Sequence, residues 1–339
     1  MRYLGLESSC DETALAVWES RRGIIYEQVL SQIELHRAYG GVVPGIAIRE
    51  HLTGFQVLLK QIQQQIDLQS IDVIGVTHGP GLMGCLGVGL AYAQSLHWAL
   101  RKPLVGINHL QGHALSPFIQ RANNADFVWE HVCPHLGLLV SGGNTLLFEM
   151  HCVSGNLIFK ILAQTQDDAA GEALDKGARL LGFPYPGGPF IEKEACKGDA
   201  DFVHFPRAFQ KKGEWKYSFS GLKTSLRYFL EKQSETWIKS NLASICAAYQ
   251  AAVCDALTSK VIDALREKSY RSFGLSGGVS NNGTLRQKCQ DIAQRHGIPL
   301  FLPARPYCGD NAAMIAFATS LKTTPNGFAL NPNLTLPEA

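Results

Sequence analysis

His109 and His113 stand four residues apart in Asn108-His-Leu-Gln-Gly-His113, a spacing that puts both imidazoles on one face of a helix. Two ring nitrogens so placed can share one metal ion, and a bound ion polarises a substrate oxygen. The spacing is also half of the zinc-peptidase signature His-Glu-x-x-His, whose glutamate is the general base. Leu110 occupies that position here, so the built-in base for activating water is missing. Two histidines in one turn also cap, pack or lie solvated, and spacing alone leaves those readings open. His131 and His135 repeat the interval, but Pro134 breaks the helix that would align them, so that pair reads as structural. Asp310, in Cys308-Gly-Asp-Asn-Ala-Ala-Met314, precedes a strong helix pattern. It reads either as an N-cap or as the carboxylate that completes a His–His–Asp metal triad with positions left for substrate.

Three glycine-rich loops add a second kind of chemistry: Ser141-Gly-Gly143, Ser276-Gly-Gly278 and Tyr185-Pro-Gly-Gly188. Free amides at helix starts favour an anion. Each loop alone is weak, and none is a phosphate-binding Gly-x-x-x-x-Gly-Lys-Ser/Thr loop. Together, on a duplicated fold, they suggest a nucleotide lying between two lobes. In the acidic run Asp167–Lys176, the residues Asp168, Glu172 and Asp175 are spaced to share a helix face. A carboxylate there could accept a ribose hydroxyl's hydrogen bond, or simply complement the start of a helix.

These residues need elements to hold them. His109 follows Pro103–Ile107, a short apolar run that reads as a buried strand, which places the pair at a strand-to-helix junction of an open α/β sheet. Leu4-Gly5-Leu6, Ser9, Thr13 and Leu15 recur 132 residues later as Leu136-Gly137-Leu138, Ser141, Thr145 and Leu147. Each copy is a strand, a small polar turn and a second strand, so the chain reads as a duplicated α/β fold. Each turn is a candidate anion nest or a plain hairpin. A βαβ unit follows the first copy, from Ile71–Thr77 through a helix to 103–107. After the second copy, Phe273–Leu275, a helix bearing Leu285, Cys289 and Ile292, and a strand over Pro299–Pro303 repeat it. A helix over roughly 241–267 carries a core stripe at Ile245, Tyr249, Val253, Leu257, Val261 and Leu265. The lobes are expected to be 1–130, rejoined by the last helix from about 311, and 131–310, with a loose tail over 323–339.

Bulk properties exclude several classes. The chain has 339 residues, 46% hydrophobic and 18% charged, with net charge +2; no strong global field draws it to nucleic acid. Lys211, Lys212, Lys216, Lys223 and Arg227 form a local basic cluster that reads as solvated surface. No apolar run reaches membrane-spanning length, and Met1–Leu6 reads as a strand rather than a signal segment. Nine cysteines without a Cys-x-x-Cys pair argue for reduced thiols in the cytoplasm.

In combination, the motifs resemble the bacterial tRNA adenosine threonylcarbamoyltransferase family, once described as O-sialoglycoprotein endopeptidases. They are Glu7-Ser-Ser-Cys-Asp-Glu-Thr13, Gly40-Gly-Val-Val-Pro44, Gly79-Pro-Gly-Leu82, His109–His113, Leu139–Gly143, Asp167–Lys176, Tyr185–Pro189, Phe219–Thr224, Gly277–Ser280 and Asp310–Met314. The resemblance spans Leu4 to about Ala318. It implies the actin/Hsp70/sugar-kinase fold, with a nucleotide cleft between two lobes. It implies that His109, His113 and Asp310 hold a metal ion, iron or else zinc. It assigns Leu139, Val140, Ser141, Gly142 and Gly143, with Asp175, Gly188 and Asn282, to the threonylcarbamoyl-AMP intermediate, Glu192 by position also reaching the nucleotide. It links Asp11 and Glu12 to catalysis. The implied reaction moves threonylcarbamoyl from that adenylate to the exocyclic amine of the adenosine 3′ of the anticodon, in tRNAs reading codons that begin with adenine. The implied partners are tRNA, a non-catalytic paralogue (TsaB-like) and a small P-loop ATPase (TsaE-like), with no membrane.

The chain departs from the family pattern in three places. Asn144 replaces the usual histidine of Ser-Gly-Gly-His-Thr and cannot titrate near neutrality. Gly45 replaces a glutamate after Val-Val-Pro, and Arg305–Gly309 is one residue short. None removes an implied metal ligand. A metallopeptidase and a non-enzymatic ATP-binding scaffold are the rival readings. The first needs a water-activating base that the sequence does not display, and the second has no use for a metal triad.

Overall fold

The computed structural model describes residues 1–124, 126–322 and 328–337. It divides into two compact units, Met1–Val128 with Pro303–Pro337, and Trp129–Leu302. Asp310 and the segment leading to it therefore belong to the first unit, where the sequence reading had carried the second lobe on to 310.

The first unit holds strands β1 (Arg2–Glu7), β2 (Glu12–Glu19), β3 (Gly23–Ser31), β4 (Val73–Gly79) and β5 (Leu104–Asn108). They form one sheet in the order β3-β2-β1-β4-β5. β1, β2 and β3 are an antiparallel meander, while β1, β4 and β5 run parallel. The central strands are buried on both faces and read as continuous apolar runs. Phe55, Leu58 and Ile62 of helix Pro44–Ile62, with Val88 and Ala93 of helix Met83–Leu100, pack against Leu4, Leu6, Leu15 and Val17. Helix Ala312–Ser320 also lies against the sheet, so close that a Cβ on Gly5 would stand 2.5 Å from the Ala312 carbonyl oxygen. That helix is buried from Ala312 to Thr319, which explains its unbroken apolar sequence.

The second unit repeats the plan. Its strands are β6 (His135–Val140), β7 (Thr145–Val153), β8 (Asn156–Thr165), β9 (Lys216–Tyr217), β10 (Ser272–Ser276) and β11 (Leu300–Phe301), in the order β11-β10-β6-β7-β8-β9. Antiparallel β6, β7 and β8 answer to β1, β2 and β3, and parallel β10 and β11 answer to β4 and β5. The hairpin registers agree as well: Gly5 faces Ala16, and Gly137 faces Phe148, each residue displaced by the same 132 positions. A register slip of one residue would turn every core side chain outward, so the match is a structural duplication. Helix Glu235–Glu267 buries Ile245, Tyr249, Val253, Leu257 and Val261. It starts earlier than its apolar stripe because the Ser234 hydroxyl caps it, accepting from Trp237 N at 3.2 Å. β11 is only two residues long, since the flanking Pro299 and Pro303 cannot donate to a ladder.

Of the tail expected to be loose, residues 323–327 lie outside the described residues, and the segment 328–337 is packed. The Phe328 ring covers Gly106, Asn331 N donates to the His78 carbonyl at 3.0 Å, and Leu336 is fully buried. Asn108 Nδ2 donates to the Thr335 carbonyl at 2.6 Å. Its Pro and Asn content set the turns of this strap and hid the contacts it makes.

The second histidine pair is structural. The short helix Trp129–Val132 ends before Pro134, and His135 begins β6, fully buried, its Nδ1 2.7 Å from the Ser272 hydroxyl. Burial pushes the His135 imidazole down to about 3. Below pH ~6.5 the unfolded chain takes up a proton there that the native state refuses, so native stability falls as pH drops from about 6.5 toward 3, by about 1.4 kcal/mol per pH unit. Urea midpoints for His135→Asn should show a flatter fall between pH 7 and pH 5 than the parent; identical slopes would refute this assignment.

Candidate metal centre and glycine-rich turns

The carboxyl ends of β1, β4 and β5 in the first unit hold the metal-ligand candidates. Asn108 ends β5 and caps the following helix, His109–Leu115, through Oδ1, which accepts from Gln111 N at 3.1 Å. The cap fixes the start of the helix, and the helix brings the two imidazoles together at a centroid separation of 4.6 Å, nearly perpendicular. Asp310 arrives from the other end of the chain. Its Oδ1 lies 2.9 Å from His113 Nε2 and 3.5 Å from His109 Nε2. Donor atoms of the three residues fall within 4.8 Å of one another. The helix after Asp310 is capped by its neighbour: Asn311 Oδ1 accepts from Met314 N at 2.9 Å. Asp310 is thus not the N-cap, which resolves the two readings of that residue.

One group escaped the sequence reading. Glu7, at the end of β1, is fully buried. Its Oε1 accepts from Ser9 N at 2.6 Å, and its Oε2 accepts from Thr77 Oγ1 at 2.5 Å and faces His109 Nδ1 at 3.1 Å. The Ser9 hydroxyl stands 3.2 Å from the same Nδ1. A carboxylate on Nδ1 fixes the tautomer and aims Nε2 at a metal, the usual outer support of a ligating histidine. Only the tertiary approach of β1 to the helix could reveal it, because Glu7 and His109 are 102 positions apart. Likewise His51 had no signal. It is fully buried, its Nε2 donates to the Cys10 carbonyl at 3.0 Å, and its Nδ1 lies 2.7 Å from Thr13 Oγ1, which pins the turn carrying Asp11 and Glu12.

The electrostatics call for a cation. Burial would lower the His109 imidazole, but the Asp310 and Glu7 carboxylates outweigh it and hold the ring well above its ordinary range. Burial would raise the Glu7 and Asp310 carboxyls, yet the charge on His109 keeps both low. A proton on His109 thus offsets the charges of buried Glu7 and half-buried Asp310, and a metal ion would offset them while displacing that proton. Two imidazoles and a partly exposed carboxylate suit such an ion, so the residues present fit a metal site. Asp11 is buried and Glu12 half-buried. Burial, Asp310 and Asp11 together push the Glu12 carboxyl well up, which places Glu12 within the field of the same cluster.

Replacing Glu7 by glutamine tests this support. Three donors converge on its two oxygens, and an amide nitrogen accepts from none of them. Glu7→Gln should lower metal affinity about 10–100-fold, read by competition with a chromogenic chelator. Unchanged affinity would show that Glu7 only packs.

The glycine turns lie in the second unit, and the one at 185–188 is filled from within. The Asp175 Oδ1 accepts from Gly187 N at 2.7 Å and Gly188 N at 3.2 Å. Glu192 Oε1 accepts from Gly283 N at 2.7 Å. Asn282 caps helix Gly283–Arg295, accepting from Leu285 N at 2.9 Å, and donates through Nδ2 to Gln250 Oε1 at 2.8 Å. In the first unit Glu7 likewise fills the turn at Ser9. The turn 141–144 differs. Ser141 N donates to the Asn144 carbonyl at 2.8 Å and Asn144 N to Ser141 Oγ at 3.1 Å. Gly142 and Gly143 between them are exposed, with open space where a Cβ would stand. Leu139 and Val140 end β6 beneath this turn and are fully buried. Gly171 at the start of helix Ala170–Leu180 presses on the Ser141 carbonyl, and Gly277 on that of Val140. Thr145 Oγ1 accepts from Ala170 N at 2.9 Å, tying the same helix start to the turn. Of the acidic trio, Asp168 and Glu172 both meet Lys176, at 2.7 and 2.9 Å, while Asp175 turns away to the glycines; the three do not act as one face.

A duplicated five-strand core with a His–His–carboxylate cluster beyond its parallel strands defines an actin-like α/β protein with a set of residues that could hold a metal ion. Solved structures agree on the fold. T. kodakarensis HypF superposes with a TM-score of 0.61 at 14% identity, over 94% of this chain and 46% of HypF, so the chain spans about half of that protein. Component A of the Acidaminococcus fermentans (R)-2-hydroxyglutaryl-CoA dehydratase gives 0.52 at 12% identity, over 95% and 99%. Sequence narrows this to one family. The family model described as TsaD, tRNA N6-adenosine threonylcarbamoyltransferase, matches residues 23–317. The tRNA N6-adenosine threonylcarbamoyltransferase of Thermotoga neapolitana is 42% identical over 94% of this chain and 93% of its own, and that of Dichelobacter nodosus 43% identical over 95% and 91%. The chain belongs to the tRNA N6-adenosine threonylcarbamoyltransferase family and is a transferase acting in tRNA modification. Among the described residues no helix is long and apolar enough to cross a membrane.

Proposed function

We propose that the protein transfers the threonylcarbamoyl group from threonylcarbamoyl-AMP to the exocyclic amine of the adenosine 3′ of the anticodon, in tRNAs that read codons beginning with adenine. The observation that carries the reading is the set His109, His113 and Asp310, supported by Glu7, in a chain matched nearly end to end by that family. The amine nitrogen attacks the carbamoyl carbon, the bond from that carbon to the phosphate oxygen breaks, and AMP leaves with the electron pair. Asp11 takes the amine's proton, and Glu12 stands beside it. Leu139–Gly143 receive the adenylate, with the Gly142 and Gly143 amides facing its anionic part. Asp175, Gly188 and Asn282 complete the adenylate site, and Glu192 reaches the nucleotide from beside them.

When bound at His109, His113 and Asp310, the metal supplies charge stabilisation and a template for the threonyl part and its carbonyl. Two histidines and one carboxylate with positions left over suit iron(II), and zinc second. The amine is a poor nucleophile, so positioning by these groups supplies much of the rate. Leu110 is buried and offers no base for water, which disfavours a peptidase. The free thiols of all nine cysteines suit a cytoplasmic setting. A non-catalytic paralogue and a small P-loop ATPase complete the working assembly.

The test supplies threonylcarbamoyl-adenylate, unmodified tRNA and the two partners, then weighs the nucleosides by mass spectrometry. Threonylcarbamoyladenosine is expected. Its absence with all components present overturns the reading. Asp11→Ala should keep adenylate binding and lose transfer by about 10²-fold or more; full activity removes Asp11 from the mechanism.

A further inference from the structure

The net charge of +2 conceals an uneven distribution. Between Arg207 and Lys232 there are seven basic residues, Arg207, Lys211, Lys212, Lys216, Lys223, Arg227 and Lys232, and two acidic ones, Glu214 and Glu231. That segment carries +5, and the remaining chain therefore carries −3. Only Arg207 is consumed by a close ion pair, 2.7 Å from Asp255; Arg227 meets Glu231 at 3.5 Å with both side chains exposed, a contact worth little in water.

Helix Ser220–Leu230 displays the centre of this charge. Its inner face, Leu222 and Leu226, is buried. Lys223 and Arg227 form one row on the outer side and Thr224 and Tyr228 the next. Tyr228 is 52% exposed, a large aromatic ring in solvent, with the Arg227 guanidinium 5.1 Å above its centroid. Beside it, Tyr228, Lys232, Thr224 and His204 line a surface cavity of about 450 Å³. Cations with an exposed ring suit a phosphate backbone and an unstacked base.

The helix also starts where the adenylate turn is organised. Asp167 Oδ1 accepts from Phe219 N at 2.8 Å and Ser220 N at 3.3 Å. Asp167 runs directly into helix Ala170–Leu180, whose Gly171 packs on the Ser141 carbonyl. From Ser220 to Tyr228 is about 12 Å along the axis, at 1.5 Å per residue.

We propose that the outer face of helix Ser220–Leu230, with Lys223, Arg227, Tyr228 and Lys232, docks the tRNA substrate by its phosphate backbone, with Tyr228 stacking on an exposed base. This rests on the tRNA reading above and adds where the RNA sits. The cluster that looks like ordinary solvated surface in the sequence is then an electrostatic docking face for a polyanion.

The test measures binding of fluorescent unmodified tRNA to the full chain, with its partners, across about 50–200 mM salt. The variant Lys223→Ala/Arg227→Ala/Lys232→Ala should bind at least tenfold more weakly, with the slope of log affinity against log salt reduced by about 2–3, about one per phosphate contact. Tyr228→Ala should lose at least fivefold with an unchanged salt slope. Arg227, Tyr228 and Lys232 are exposed and Lys223 is half-buried, and unchanged melting temperature and adenylate binding would confirm that the variants are folded. Parent and triple variant binding tRNA alike overturns the docking face, as does a variant that keeps tRNA and loses only a partner protein. A parent chain that binds no tRNA under any of these conditions overturns the functional reading itself.

Discussion

Substituting His113 by alanine should abolish stoichiometric metal binding, with affinity lowered more than about 10²-fold, the upper range for losing an outer support alone. His113 is fully buried, and its Nε2 is the nearest imidazole nitrogen to Asp310, at 2.9 Å. Its removal leaves His109 as the sole imidazole donor and leaves Asp310 3.5 Å from its remaining partner. Transfer from threonylcarbamoyl-adenylate should fall with metal content. The natural control is His131→Ala: it breaks the other four-residue pair, which the structure separates into a short helix and a strand, and it should keep metal and activity. Metal analysis after gel filtration and chelator competition read the result. A His113→Ala protein that retains one tightly held metal per chain and full transfer would remove the cluster from the mechanism.

Gly277→Ala should be strongly destabilising, because strain and a backbone clash coincide there. The residue has φ of +84° and ψ of 165°, a region that only glycine occupies without strain. A Cβ there would stand 2.4 Å from the Val140 carbonyl oxygen and 2.7 Å from its carbon. Both are backbone atoms of β6, which pairs with β7 and β10, so neither side yields cheaply. Strain of about 1–3 kcal/mol and overpacking of about 1–3 kcal/mol together take a large share of a domain's ~5–15 kcal/mol. The melting temperature should fall on the order of 10 °C, and adenylate affinity should fall with it because the turn 141–143 sits directly on Val140. Gly278→Ala is the matched control, since a Cβ there meets nothing within 4 Å. Equal melting temperatures for the two variants would show that the turn can shift at little cost.

The sequence repeat at a spacing of 132 residues announced the duplication, and the structure extends it to strand order and hairpin register. Amphipathic and apolar patterns located the helix over Tyr249 and Val253 and the strands on either side of His109. Caps were harder. Asp310 and Asn311 are both good capping residues, and only coordinates show that Asn311 caps and Asp310 faces the imidazoles. The acidic run 167–176 read as one face, yet the helix begins at Ala170 and splits the carboxylates between Lys176 and the glycines at 187–188. Pro- and Asn-rich composition suggested a loose end, while Phe328 finds cover against the sheet and Leu336 is fully buried.

By itself the sequence determined what is local or periodic: the strand and helix patterns, the duplication, the paired histidines and the absence of a glutamate after the first of them. The family motifs named the chemistry. Tertiary structure decided whatever depends on groups far apart in the chain. It placed the Glu7 carboxylate on His109 Nδ1 and Asp310 on both Nε2 atoms. It also filled the turns at Ser9 and at Gly187-Gly188 with the protein's own carboxylates, leaving Gly142, Gly143 and Gly278 open to solvent. The physical reason is that a buried charge is tolerable only beside its partner, and the fold chooses the partner.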